Sequence, residues 1–210
     1  MTASNPPIPP DFTAFAATWQ NDGITRLLGY VWAGYDELCR QKPAEMNPSD
    51  EVSVNLHLAI YIQRKKPKHC PFDFVSTPPE LVTRLKSSRP APTPDFGFFP
   101  LDNTRVMFPL EAKVLKHERH LSEYLKALCT RFLQCRYAPY SSEGVMVGYL
   151  LSGDAEIAFK NLKSKLRASL KQHPDFIFRA HRFSEHQRNH RRCKNAPTSF
   201  RCHHLLMALS

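Results

Sequence analysis

The order of periodicities along this sequence predicts an α/β fold, a central mixed β-sheet flanked by helices on both faces. Three observations carry that expectation. Apolar residues recur at helical spacing near the start and again after Asp154; short apolar runs punctuated by Pro and Gly lie between; and EGVMVGYLLS is a continuous apolar run of the kind that forms a buried strand.

After a proline-rich entry, Asp11 to Lys42 has the spacing of one or two helices, with Phe12, Phe15, Ala16 and Trp19 on one face and a break at Asn21 to Gly23. Pro43 to Pro48 reads as a connection. From Ser49 the run SDEVSVNLHLAIYIQRKK fits a helix capped by Ser49, with Asp50 and Glu51 in the first turn, where the helix dipole favours acids. A strand is the competing reading, because Val52, Val54, Leu56, Leu58 and Ile60 also alternate.

CPFDFVS follows as a short β-like run. Beyond it, Pro and Gly divide the next segment into a strand at Asp95 to Phe99, a turn around Leu101 to Thr104, and a second strand at Arg105 to Leu115. A helix then carries Leu121, Leu125, Leu128 and Phe132 on one face, and after the buried strand DAEIAFKNLKSKLRASLKQ is an amphipathic helix. The tail from His173 is rich in His and Arg and ends in RCHHLLMAL, a last strand. The expected organisation is an N-terminal helical segment over 1–48, a core over 49–172, and a basic extension over 173–210 packing on the same domain.

A chain of 210 residues, 42% hydrophobic, suits one sizeable core better than two. Its net charge of +10 favours polyanionic partners. No run approaches the roughly 18 apolar residues of a membrane span, and the N-terminus lacks a basic segment followed by an apolar one, so a soluble, cytoplasmic protein is expected with no membrane partner. The six cysteines are scattered without a CxxC, which in that compartment means reduced thiols. No GxxxxGK, GxGxxG or GxSxG occurs, so nucleotide hydrolysis and a serine nucleophile lack support.

Period two along the second strand puts Glu111 and Lys113 side by side on one face. If the two strands form a hairpin, Asp95 lies across from them. Hard oxygen ligands of this kind hold Mg²⁺, for which Mn²⁺ can substitute, and the ion polarises a scissile phosphate and acidifies a bound water. Asp95, Glu111 and the backbone carbonyl of Ala112 would bind the metal; Lys113 would orient or help deprotonate the attacking water. The bland alternative is a surface pair, Glu111 with Lys113, beside a turn aspartate.

Pro94-Asp95, a turn, and then Glu111-Ala112-Lys113 on an apolar strand resemble the signature of the PD-(D/E)XK phosphodiesterases, the restriction-endonuclease-like nucleases. This acid-x-Lys string is the only one in the chain. The resemblance runs from about Glu51 to Gly153 and implies a restriction-endonuclease-like core. It also implies a further metal ligand on an upstream helix, for which Glu51 is the candidate. A polar residue from the helix after the signature would reach back toward the phosphate, and Arg131 and Gln134 are the options.

Lys160, Lys163, Arg167 and Lys171 form a basic stripe suited to a phosphate backbone, or simply a solvated helix face. In the tail, His186, His190, Cys193, Cys202 and His203 are residue types that bind zinc, though in no standard finger spacing; Arg188, Arg191, Arg192 and Lys194 are the competing feature, a phosphate-binding loop. The leading expectation is a Mg²⁺-dependent endonuclease or exonuclease acting on DNA. By analogy it would be an effector or subunit of a bacterial phage-defence or restriction system, with protein partners in a multi-subunit complex or as a homodimer. The alternative is a non-catalytic nucleic-acid-binding adaptor that keeps a nuclease-like fold. The sequence does not separate DNA from RNA.

Overall fold

The computed structural model describes residues 11–20, 22–80, 91–166, 168–188 and 196–209. Three helices open the chain. Asp11 caps α1 (Phe12–Trp19) by accepting from the Thr13 amide, and α2 (Gly23–Gln41) follows the break expected near Gly23. The cap of α3 (Glu51–Lys65) is Asp50, which accepts from the Val52 amide, and not Ser49. The alternating segment is therefore a helix. It looked strand-like because it is apolar on two sides: Val54, Leu58 and Ile62 are buried, whereas Val52, Leu56 and Ile60 are 74%, 59% and 40% exposed. Gly34 lets α2 lie against this helix, since a Cβ there would come within 2.6 Å of Ile62 Cγ1.

The seven-stranded mixed sheet has the order β1-β2-β3-β4-β7-β6-β5. Its strands are β1 (Phe72–Ser76), β2 (Phe96–Pro100), β3 (Phe108–Leu115), β4 (Glu143–Leu150), β5 (Lys171–Gln172), β6 (His181–Gln187) and β7 (Ser199–Ala208). The expected hairpin is present, with β2 antiparallel to β3 and Phe96 opposite Leu110. The centre is parallel, β3 to β4 and β4 to β7, and both flanks are antiparallel.

Alternation along the central strands divides the core. Leu110, Ala112, Val145, Val147, Tyr149, Leu205 and Met207 pack with α1, α2 and α3, while Leu115, Met146, Leu150, Cys202 and Leu206 pack under α4 (Ser122–Ala127), the π-helical turn Leu128–Phe132, and α5 (Ala155–Leu166). Helices thus cover both faces, as the α/β reading requires. Five α-helices occur among the described residues, and none is long and apolar enough to cross a membrane.

Three sequence expectations differ from the structure: the extent of α5, the strand content of the tail and the state of one cysteine. Helix α5 stops at Leu166, so Lys171 is not on its stripe; it starts β5, pairs with Glu185 at 3.2 Å and lies over the Phe183 ring. The tail contributes β5, β6 and β7, and β7 sits between β4 and β6 in the middle of the sheet. Cys39, Cys70, Cys129 and Cys202 are free thiols, but Cys135 is disulfide-bonded, contrary to the expectation of reduced cysteines throughout.

Candidate functional site

The site follows from a mismatch in strand length. β2 pairs with β3 only from Phe108 to Leu110, while β3 runs on to Leu115 beside β4. Past Leu110 the other edge of β3 pairs with no strand among the described residues, and its backbone groups need partners. Side chains supply them. The Ala112 amide donates to Asp95 Oδ2 at 2.8 Å, the Val114 amide donates to Glu51 Oε2 at 3.3 Å, and Lys113 Nζ donates to the Ala112 carbonyl at 2.5 Å. Asp95 reaches this edge because it immediately precedes β2. Glu51 reaches it from the first turn of α3.

Lys113 Nζ also lies 2.7 Å from Glu51 Oε1 and 2.8 Å from Glu111 Oε1, and Arg131 pairs with the same Glu111 oxygen. Glu111 has no exposed surface; its Oε1 is taken by the two cations, and its Oε2 has no hydrogen-bond partner among the described residues. The cluster therefore holds three carboxylates against two cations. Burial raises the Asp95 carboxyl above its ordinary pKa. The Ala112 amide, Lys113 and Arg131 oppose that shift, and the Glu51 charge adds to it.

A shell of aromatic side chains positions these groups. Tyr137 donates to the Thr93 carbonyl at 2.9 Å, and its ring faces the Arg131 guanidinium at 5.6 Å, tying the loop before Asp95 to the π-helical turn. Tyr149, from β4, donates to Asn55 Oδ1 at 2.6 Å and fixes α3 to the sheet. Burial pushes the Tyr149 phenol well above its ordinary value, with Asp95 and Glu51 adding to the effect, so it stays a neutral donor. Neither tyrosine was singled out from sequence, since each looks like ordinary core.

Asp95, Glu111, Ala112, Lys113, Glu51 and Arg131 are thus brought together; Gln134 is half-buried in the turn that follows the π-helical segment. Lys160 and Lys163 are exposed on α5, while Arg167 lies outside the described residues. Glu51, Asp95 and Glu111 offer hard oxygen donors, and the buried Glu111 carboxylate, with Oε2 lacking a hydrogen-bond partner among the described residues, is the feature that suits a Mg²⁺ ion. They do not, however, close into a group of three ligand atoms within 4.8 Å; Lys113 and Arg131 lie against Glu111 instead.

Among the described residues, the group that does meet that spacing is His173, His181 and His203. This differs from the zinc set expected in the tail. Cys202 and His203 are adjacent on a strand and point to opposite faces, so they cannot share an ion. His186 bonds Ser184 instead, and His190 and Cys193 lie outside the described residues. Arg188, read from sequence as a phosphate ligand, is buried with its guanidinium 4.2 Å from the Phe200 ring; Arg191, Arg192 and Lys194 lie outside the described residues.

No family model, curated protein or solved structure matches this chain.

Proposed function

We propose that the chain is a metal-dependent nuclease with a restriction-endonuclease-like core that hydrolyses DNA phosphodiester bonds. The observation that carries this reading is the convergence of Asp95, Glu51 and Lys113 on the edge of β3, around a buried Glu111 carboxylate whose Oε1 meets Lys113 and Arg131 and whose Oε2 has no hydrogen-bond partner among the described residues. Burying an ionised carboxylate without full pairing costs several kcal/mol, roughly, and such sites cluster where function demands them.

Asp95, Glu111 and the Ala112 carbonyl would hold Mg²⁺, with Glu51 as a further ligand. When bound, the ion polarises the scissile phosphate and lowers the pKa of a water molecule. The residues do the rest. Lys113 Nζ, now shared among Glu51, Glu111 and the Ala112 carbonyl, would position the attacking water and take up its proton after passing one of its own to the Glu51 carboxylate. Arg131, about a third exposed, can exchange its Glu111 contact for a phosphoryl oxygen and stabilise charge developing there. Lys160 and Lys163 supply sequence-independent attraction to the backbone.

One observation favours the alternative, a non-catalytic adaptor binding nucleic acid: the carboxylates are already ion-paired with Lys113 and Arg131. A single experiment separates the two. Purified protein is incubated with plasmid and linear DNA in Mg²⁺, Mn²⁺ or EDTA, alongside Asp95→Ala, Glu111→Ala and Lys113→Ala. The nuclease cuts only with divalent metal, and each variant loses at least about 10²–10³-fold. Salt-sensitive binding without cleavage, or activity retained in all three variants, overturns the proposal. A role in phage defence, a cytoplasmic location, protein partners and a homodimer go with this reading.

A further inference from the structure

The tail that looked like a basic extension builds a second polar centre, remote in chemistry from the charged cluster. β6 and β7 are antiparallel with Phe183 opposite His203, so His181 and His203 share a face of the sheet. That face carries α2, whose Trp32 indole N–H donates to His181 Nδ1 at 3.3 Å. His181 therefore carries its proton on Nε2, which faces His203 Nδ1 at 3.2 Å, and the remaining His203 nitrogen, Nε2, donates to Glu143 Oε2 at 2.8 Å. His173, from the turn before the 3₁₀ segment Pro174–Phe176, brings its ring to 4.6 Å from that of His181 and 5.5 Å from that of His203.

We propose that His173, His181 and His203 form a binding site for a divalent transition-metal ion of the zinc class, independent of the charged cluster on β3. One nitrogen from each ring lies within 4.8 Å of the other two, and all three residues are buried. The 3.2 Å separation of His181 Nε2 and His203 Nδ1 fits two ligands on one ion, because tetrahedral ligands about 2.0–2.1 Å from zinc stand a little over 3 Å apart. Burial holds His173 and His181 below their ordinary pKa, so both rings are neutral and keep a lone pair at physiological pH.

Two further features separate this site from a merely packed histidine core. Glu143 accepts from the outward nitrogen of His203, the carboxylate partner that fixes a ligating imidazole in its metal-binding tautomer. His173 and His203 also line a cavity of about 180 Å³ with Glu143, Arg201 and the α1–α2 junction at Thr13 and Asp22. Three protein nitrogens with the fourth position facing that cavity leave room for water or a small anion near Arg201. Imidazole ligands select zinc, cobalt, nickel or copper over magnesium. Uptake moves the His181 proton from Nε2 to Nδ1, giving up the Trp32 hydrogen bond and the His181–His203 hydrogen bond, and costs His173 the bond that its Nδ1 accepts from the Asp175 amide, while the bond from His203 to Glu143 is retained.

The test is titration of the full chain with Co²⁺ and Zn²⁺, read by the visible d–d bands of four-coordinate cobalt and by metal content by mass after gel filtration. The site takes up one ion per chain. Glu143→Gln weakens uptake about 10–100-fold and His173→Gln at least as much, while Asp95→Asn leaves it unchanged. Both tail variants are checked by circular dichroism, and the wild-type titration decides even if one fails to fold. Absence of cobalt bands in the wild type, uptake indifferent to both Glu143→Gln and His173→Gln, or uptake lost in Asp95→Asn would each overturn the proposal. Only the last outcome would also implicate the β3 cluster.

Discussion

The charged cluster on β3 and the histidine cluster on β6 and β7 belong to one sheet, yet they accommodate buried polar groups in opposite ways. On β3, Glu51, Asp95 and Glu111 meet Lys113 and Arg131, three carboxylates against two cations: Asp95 is pushed toward protonation by burial, and Glu111 Oε2 has no hydrogen-bond partner among the described residues. On the other side, Trp32, His181, His203 and Glu143 form a chain in which each donor meets an acceptor. The first arrangement relies on full charges and leaves its central acid incompletely satisfied. The second is nearly charge-free and satisfied, which suits neutral imidazoles. Incompletely satisfied charge marks a place where something polar is meant to arrive; the histidine chain is stable as it stands and would trade hydrogen bonds for an ion.

The largest effect expected from breaking this contrast is on catalysis. Glu111→Gln should lower metal-dependent cleavage at least about 10²–10³-fold, measured on supercoiled plasmid, because it removes the central one of the three carboxylate charges. Asp95→Asn should fall as far and yet raise the thermal midpoint, since it removes a carboxylate charge that burial disfavours while keeping an oxygen for the Ala112 amide. A loss of stability in Asp95→Asn would show that the charge itself holds β3.

Next in size is the histidine side. His203→Ala should cost about 2–4 kcal/mol in urea unfolding, because it leaves His181 and Glu143 without their shared partner and opens a void in the core. A smaller effect comes from pH. Burial lowers His173 to about 4 and His204 to about 3, and lowers His181 as well, from an ordinary 6.5. Above 6.5 both folded and unfolded states are neutral. As pH falls below 6.5 the unfolded chain takes up protons that the folded chain refuses, so stability declines toward pH 4 by up to about 1.4 kcal/mol per pH unit for each such histidine. Carboxylates such as Glu37, held at about 2, lose their contribution only below about 4.5, so a decline already under way at pH 6 identifies the histidines. A thermal midpoint flat from pH 7 to 5 would contradict this. The smallest effect belongs to the surface: Lys160→Ala with Lys163→Ala should reduce the salt dependence of DNA binding by about 0.9 in log–log slope for each lost phosphate contact, with little change in cleavage at low salt.

The parts of the fold that could be read in advance are those with a clear apolar signal, either a stripe on one face, as in α5, or a continuous run, as in β4. The β2–β3 hairpin was legible because Pro and Gly bracket two short apolar runs, and the period-two argument then placed Glu111 beside Lys113. α3 was ambiguous because Val52, Leu56 and Ile60 remain exposed, so its pattern has no polar side to set the phase. β6 escaped notice because HRFSEHQ buries only His181 and Ser184 and carries almost no hydrophobic signal. Arg131, one of the two options that the family resemblance offered, reaches Glu111 from the π-helical turn. The histidine centre was out of reach for a different reason. Its members come from a turn and two strands, and nothing local relates His173 to His203.

The place of β7 in the sheet bears on how the molecule comes into being. Every residue of the charged cluster is translated before Ser199–Ala208, yet β4 is flanked by β3 on one side and by this late strand on the other. While the chain is still emerging from the ribosome, β4 has an open edge and both apolar faces of the sheet are incomplete, so the cluster cannot be presented on a finished scaffold. Premature termination upstream of β7 would release a chain that exposes a hydrophobic strand edge, a target for chaperones and proteases and not a truncated but active protein.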